Sequence, residues 1–143
     1  MKFSASRILC IDDDANAANW IRIVLRGAKI NAAVTTVKTG REAFTLLNRD
    51  NFDLCILEYA LPDMTGVQLC SLMRQMGSDV PMIFFTAMSR PVDREKAMAA
   101  GASDYLCKPD DLDSFAGVIA RFLESRQPVY AESTLLIDLP KAA

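Results

Sequence analysis

Polar side chains that could take part in metal or phosphate chemistry follow four apolar stretches of this chain. They are Asp12 and Asp13 after residues 8–11, Glu58 after residues 54–57, Thr86 after residues 82–85 and Lys108 after residues 105–107. If each stretch is a strand of one open parallel sheet, these side chains lie at its carboxyl edge, where ligands bind in such folds. The spacing therefore predicts one polar site built from four strand ends.

The residue types at this predicted site suggest a particular chemistry. Three carboxylates close together repel one another, and a single Lys cannot neutralise them all. Either some carboxyl pKa values rise or a divalent cation binds, and oxygen ligands without His or Cys favour Mg²⁺ over zinc or copper. Opposite the acids, the Thr hydroxyl and the Lys ammonium are suited to the oxygens of an incoming phosphoryl group. Taken singly the signals are weaker, since Asp13 or Asp14 could simply cap a helix and Lys108 could be solvated.

The elements that would position these groups follow from hydrophobic periodicity. Uninterrupted or β-branched runs predict strands, and apolar residues at helical spacing predict helices. The predicted strands are 8–11, 32–37, 54–57, 82–85 and 105–107, and the helices are 15–28, 41–49, 67–76, 90–100 and a last one marked by Leu112, Phe115, Val118, Ile119 and Phe122. This alternation predicts an α/β fold, a doubly wound five-stranded parallel sheet with helices on both faces.

Composition limits the classes of protein to consider. A chain of 143 residues with 51% hydrophobic residues and net charge -2 is expected to form one globular domain, over residues 1–126, followed by a tail, 127–143. The tail's run 135–137 could be an added strand, a docking segment or an appended end. The chain has no His, which excludes His bases, ligands and phosphocarriers.

Several partners and compartments are not expected from the sequence. No Lys/Arg-dense segment suggests nucleic-acid binding, and no apolar run is long enough for a membrane span or a secretory signal. The four Cys residues lack CxxC spacing, which favours buried reduced thiols. A cytoplasmic location is expected.

Four motifs give the chain a family resemblance. From Arg7 to about Arg126 it resembles the receiver domains of two-component response regulators, in ILCIDDD, LPDMTG, FFTA and GASDYLCKP. The resemblance implies a flavodoxin-like, chemotaxis-regulator-like fold with strand order 2-1-3-4-5. It also implies that the Lys108–Pro109 bond is often cis.

The resemblance also assigns roles to individual residues. Mg²⁺ would be held by Asp12 and Asp13, by the residue at position 58 and by the backbone carbonyl of Ala60. Thr86 matches the switch hydroxyl, Tyr105 the rotating aromatic and Lys108 the invariant Lys of the family. The expected partners are a sensor histidine kinase or another signalling protein, with a homodimer possible through the face of helix four, strand five and helix five, roughly residues 90–126.

The chain departs from the family at the phosphoacceptor, because the family has Asp where this chain has Glu58. One extra methylene moves the carboxylate outward by roughly 1.5 Å. A misplacement of ~1 Å can cost ~10²-fold in rate, so ordinary aspartyl-phosphate chemistry should be impaired or absent. Three interpretations stay open: Glu58 partly mimics the phosphorylated state by reaching Thr86 and Lys108, it pairs with Lys108 in a static scaffold, or residual phosphorylation persists.

At the level of function, the main hypothesis is a non-enzymatic signalling module, an atypical receiver that stands alone or is a fragment of a longer protein. A Mg²⁺-dependent phosphotransfer protein is the alternative. A flavodoxin-like cofactor binder is a third, although no Gly-rich or hydroxyl-rich phosphate loop follows strand one. Asp63 could be a substitute nucleophile or a solvated turn residue. Trp20 is expected to be a packed or half-exposed aromatic.

Overall fold

A single five-stranded parallel sheet organises the molecule, whose computed structural model describes residues 4–126. The strand order is β2-β1-β3-β4-β5, which confirms the predicted fold and order. The elements in chain order are β1 (Ser6–Ile11), α1 (Ala17–Gly27), β2 (Ala32–Val37), α2 (Gly40–Arg49), β3 (Leu54–Leu57), α3 (Gly66–Gln75), β4 (Met82–Thr86), α4 (Pro91–Ala99), β5 (Asp104–Cys107) and α5 (Phe115–Arg126). The predicted tail, 127–143, lies outside the described residues.

Two apolar layers pack on the two faces of the sheet. Every residue of β3 and β4 is buried, which agrees with their unbroken apolar sequences. One layer joins the sheet to α1 and α5 through residues such as Ile21 and Ile119, and the other joins it to α2, α3 and α4 through residues such as Ala43 and Leu69. A fully buried Leu contributes about 1.5–3 kcal/mol, so these layers hold the strand ends in place.

Strand β2 forms one edge of the sheet, as its β-branched and more polar sequence predicts. It pairs with β1 alone, and most of its residues are exposed or half-buried. Within residues 4–126, none of the helices combines the length and the apolar character that a bilayer span requires.

The start of α1 differs from the prediction. Neither Asp13 nor Asp14 caps this helix, which begins at Ala17 with Asn16 at the N-cap position and no side-chain cap bond. Instead Oδ1 of Asp12 accepts the N–H of Asp14, and Oδ1 of Asp14 accepts the N–H of Asn16. The carboxylates therefore order the loop between β1 and α1 rather than the helix itself.

The cysteines are reduced, as expected. Cys10, Cys55 and Cys70 are buried and Cys107 is half-buried. Burial raises the pKa of Cys10 and of Cys55 to about 12, so both stay as neutral thiols.

Candidate functional site

The carboxyl ends of β1, β3, β4 and β5 bring the predicted site residues to one edge. Ile11 is paired with Leu57, and Leu57 with Phe84, so the residues that follow β1 and β3 emerge close to the end of β4. Lys108 Nζ lies 3.4 Å from Oδ2 of Asp12 and 3.6 Å from Oε1 of Glu58. The structure thus brings Asp12, Glu58 and Lys108 together with Thr86 in one pocket, which we call the acidic pocket (Asp12, Glu58, Thr86 and Lys108). Asp13 follows Asp12 in the chain but forms no hydrogen bond or ion pair with these groups.

Glu58 has hydrogen-bonding or ionic partners on both carboxylate oxygens. The Thr86 hydroxyl donates to Oε2, and the backbone N–H of Tyr59 donates to the same oxygen at 2.6 Å. The other oxygen, Oε1, faces Lys108. The Glu58 side chain is 17% exposed, so these interactions are only partly screened by water.

Asp12 and Asp13 differ in their surroundings, although they are adjacent in the chain. Asp12 is buried, and the transfer of its carboxylate out of water raises its pKa, against the lowering effects of the Asp14 N–H and of Lys108. Asp13 is exposed, and its carboxylate has no hydrogen-bond or ion-pair partner in the part of the chain that the structure describes. Its oxygens are therefore the ones most open to a cation.

Lys108 is fixed by several contacts. Its backbone N–H donates to the Thr86 carbonyl at 2.8 Å, and its Nζ lies 4.8 Å from the ring centroid of Phe85. The Lys108–Pro109 peptide bond is cis. Trp20 packs against Phe85, with ring centroids 5.3 Å apart, which confirms its role as a packed aromatic.

A chain of hydrogen bonds leads from the acidic pocket to Tyr105. The Thr86 hydroxyl, which donates to Glu58, accepts the N–H of Met88 at 3.2 Å, and the Tyr105 hydroxyl donates to the Met88 carbonyl at 2.6 Å. Tyr105 is 2% exposed and stacks on Phe84, and its burial raises the pKa of its hydroxyl. Tyr105 is thus held inside the protein by the loop that follows Thr86.

The loop between β3 and α3 is held close to the pocket by Gly66. A Cβ at Gly66 would lie 2.5 Å from the Glu58 carbonyl oxygen, so a larger residue would push the loop away. The Gly66 N–H donates to the Tyr59 carbonyl, and Ala60 bridges to Thr65. No donor within residues 4–126 is paired with the Ala60 carbonyl.

Asp63 has a structural role that the sequence did not reveal. Its two carboxylate oxygens accept the N–H groups of Gly40 and Arg41, the first residues of α2, at 2.8 and 2.9 Å. These bonds hold the pKa of Asp63 below its ordinary value. Asp63 therefore ties the loop after Glu58 to the start of a helix that lies far from it in sequence.

Receiver domains generally bind Mg²⁺ at this kind of pocket, and the donor set agrees in part. Asp12, Asp13 and the Ala60 carbonyl are the hard oxygen donors that Mg²⁺ prefers. Glu58 is unsuited to the role in this arrangement, because both its oxygens are already engaged. No group of three or more His, Cys, Asp or Glu side chains is arranged to hold a metal ion within residues 4–126.

A sequence profile described as the response regulator receiver domain matches residues 8–120. The chain therefore belongs to the response regulator receiver domain family. Receiver domains are signalling modules of two-component systems that interact with sensor kinases and other signalling proteins.

Among individual relatives, the DNA-binding response regulator MtrA of Mycobacterium tuberculosis is 39% identical over 103 residues, which cover 72% of this chain and 44% of that protein. The chain thus spans less than half the length of MtrA. An uncharacterized 14.6 kDa protein of Leptolyngbya boryana is 36% identical over 106 residues, 73% of this chain and 79% of that one. The non-phosphorylated HemR receiver domain of Leptospira biflexa superposes with a TM-score of 0.73 at 30% identity, over 87% of this chain and 99% of that domain.

Proposed function

We propose that this chain is an atypical receiver, with its receiver domain in residues 1–126, that signals by protein–protein interaction and takes Glu58 in place of a phosphorylated Asp. Its Glu58 occupies the end of β3, where the family carries its acceptor. Thr86 and Lys108 act on the Glu58 carboxylate as they would on phosphoryl oxygens. The domain then adopts part of its signalling conformation without a phosphodonor.

One observation carries this proposal: the Thr86 hydroxyl donates to Glu58 while Tyr105 is buried and bonded to Met88. A longer carboxylate at position 58 reaches the hydroxyl directly. The hydroxyl in turn holds the Met88 N–H, and the Met88 carbonyl holds Tyr105. The acid at the pocket and the aromatic next to α4 are therefore connected by consecutive hydrogen bonds.

The strength of the charge interaction favours a partial bias. Two unit charges 4 Å apart attract by about 4 kcal/mol at an effective dielectric of 20, before desolvation is subtracted. Inversion of a 1:99 equilibrium to 99:1 requires about 5.5 kcal/mol of differential stabilisation. The Lys108–Glu58 pair, at 3.6 Å, thus shifts the equilibrium without fixing it, and a partner can still shift it further.

Mg²⁺, where it binds, would neutralise part of the negative charge of the acidic pocket. The residues that would hold it are Asp12, Asp13 and the Ala60 carbonyl. The side chain of Asp13 faces solvent and is free to approach the ion, whereas Asp12 must give up part of its interaction with Lys108. Glu58 stays with Thr86.

The proposed contact surface for a sensor kinase, another signalling protein or a second copy consists of α4, β5 and α5. On this surface Asp104 lies 3.8 Å from Arg94 and 3.5 Å from Arg121, both measured between charged atoms. Val92 and Met98 are exposed on α4, at 42% and 39%. Because Arg94 also donates to the Tyr105 carbonyl at 2.9 Å, a change at Tyr105 reaches this surface directly.

A phosphorylation experiment tests the proposal. Wild type and Glu58→Asp are incubated with a small acyl phosphate and Mg²⁺, and the intact mass of each is measured. We expect the Asp variant to gain one phosphoryl group and wild type to gain none. Glu58→Gln is the matched control, since it keeps the length of the side chain and removes the nucleophilic carboxylate.

The opposite outcome supports the alternative function, a Mg²⁺-dependent phosphotransfer protein. In that case wild type gains a phosphoryl group and Glu58→Gln does not. The retained acids of the pocket favour this alternative, and the engagement of both Glu58 oxygens opposes it.

A further inference from the structure

A second polar cleft lies at the edge of the sheet opposite the acidic pocket. It has a volume of about 570 Å³ and is formed by the end of α1, the start of β2 and the turn between them. Its apolar lining includes Leu25, Ile30 and Ala32. Since β2 begins here and Glu58 follows the last residue of β3, the cleft and the acidic pocket are separated by the length of the strands.

Three cations line this cleft, and no acidic residue does. They are Arg22, Arg26 and Lys29. None of the three takes part in an ion pair with another residue within 4–126. The cleft is thus a positively charged site on a chain whose net charge is -2, and it would attract anions.

Arg22 is held in position rather than extended into solvent. Its Nη2 donates to the Val34 carbonyl at 2.8 Å, and its Nη1 contacts Oδ1 of Asn19 at 3.3 Å. A guanidinium that is already fixed loses less conformational entropy when it binds a ligand. This preorganisation is a property of binding sites.

Lys29 occupies a backbone position that favours glycine. Its φ is 60°, just after α1. Its N–H donates to the Arg26 carbonyl, and the N–H of Ile30 donates to the Leu25 carbonyl. Side chains other than Gly and Asn are disfavoured there. The negative end of α1 would attract Arg26 and Lys29, but it accounts neither for Arg22 in the middle of the helix nor for Lys in place of Gly.

We infer that this cleft, which we call the basic cleft (Arg22, Arg26, Lys29 and the aliphatic side chains between α1 and β2), binds a phosphorylated small molecule of nucleotide size. Phosphate oxygens would meet the guanidinium groups and the ammonium, which bind such anions well. The organic part would pack on Ile30 and Ala32. The volume falls within the range of about 300–1,000 Å³ that is usual for small-molecule sites.

The test measures the affinity of the 143-residue chain for ATP, with inorganic pyrophosphate as a second probe, by calorimetry without Mg²⁺. Without Mg²⁺, a metal-bound ATP cannot bind at the acidic pocket and add to the measured heat. We expect ATP to bind more tightly than pyrophosphate, because only ATP has an organic part. Arg26→Gln should weaken ATP binding by about tenfold, the loss of one charge-assisted hydrogen bond.

Lys29→Gly is the decisive variant. Glycine adopts a positive φ without steric strain, so this substitution removes the charge of Lys29 without destabilising the fold. We expect its melting temperature to be unchanged or higher while ATP binding falls by about tenfold. Lys38→Gln is the matched control, since it removes an exposed cation that does not line the cleft. It should bind ATP as wild type does.

Four results would overturn the inference: no binding of ATP or pyrophosphate, unchanged affinity in Lys29→Gly, an equal loss in Lys38→Gln, or tighter binding of duplex DNA or of an acidic peptide than of ATP.

Discussion

The hydroxyl of Thr86 donates a hydrogen bond to Oε2 of Glu58, across the gap between the ends of β4 and β3. The same hydroxyl accepts the N–H of Met88, so one side chain joins the central acid to the loop before α4. A Ser or Thr suits this position, because its single hydroxyl oxygen can donate one hydrogen bond and accept another.

Thr86→Ala should lower the free energy of unfolding by about 1–3 kcal/mol, because Glu58 loses one of its hydrogen-bond donors and the Met88 N–H loses its acceptor. Thr86→Ser, which keeps the hydroxyl, should lose less. Urea unfolding of both variants measures the difference. Equal stability of the Ala variant and wild type would show that the bond contributes nothing.

Tyr105→Phe should lower the free energy of unfolding by about 0.5–1.5 kcal/mol, because the carbonyl of half-buried Met88 loses the hydroxyl that donates to it. It should also speed amide hydrogen exchange in the loop before α4. Tyr59→Phe is the matched control, as Tyr59 is buried and its hydroxyl has no partner within residues 4–126. If both variants cost the same, the Tyr105 hydrogen bond is not specific.

Asp12 should make wild type less stable as pH rises. Its pKa in the folded protein is raised by burial, so between the ordinary Asp pKa and this raised value the folded state binds more protons than the unfolded state. Its contribution is fully present below the ordinary pKa and is lost as pH rises through the folded value. Unfolding free energy measured against pH should show this fall in wild type and in the exposed control Asp113→Asn. Its persistence in Asp12→Asn would refute the assignment.

Mg²⁺ should raise the melting temperature of wild type modestly, and Asp13→Ala should abolish the rise, because Asp13 offers the most accessible carboxylate. Glu58→Asp should increase the rise, since the shorter side chain is drawn back from Thr86 and one acid becomes free for the ion. Thermal unfolding across a Mg²⁺ titration gives both quantities. A wild-type response that survives Asp13→Ala contradicts the proposed ligand set.

Asp63→Ala should destabilise the protein more than Asp113→Ala, because only Asp63 accepts the first two N–H groups of α2. The pKa of Asp63 is held below its ordinary value, so its stabilising effect is present above the ordinary Asp pKa and is lost as pH falls through the folded value. Denaturant unfolding at neutral and acidic pH measures both effects. Equal losses of unfolding free energy in the two variants would mean that the hydrogen bonds from Gly40 and Arg41 to Asp63 contribute nothing to stability.

The sequence predicted the strands and their polar ends well, because apolar runs such as Leu54–Leu57 and the polar residues after them are local signals. The strand order came from the family resemblance, since hydrophobic periodicity carries no information on which strands pair. The cap of α1 was predicted wrongly, because the sequence does not distinguish an Asp that orders a tight loop from an Asp at an N-cap. In the structure, Asp14 accepts the N–H of Asn16 within the loop. The role of Asp63 was not predicted because its partners, Gly40 and Arg41, are distant in the chain. The basic cleft was missed for a similar reason, since Arg22 reaches Val34 only in the folded protein.

The most direct test of the central claim compares the backbone amide NMR spectra of wild type and Glu58→Asp, the latter with and without a small acyl phosphate and Mg²⁺. If Glu58 stands in for a phosphorylated Asp, the Met88 and Tyr105 signals of untreated wild type should lie towards those of the phosphorylated Asp variant. Wild-type signals that coincide with those of the unphosphorylated variant would contradict the account.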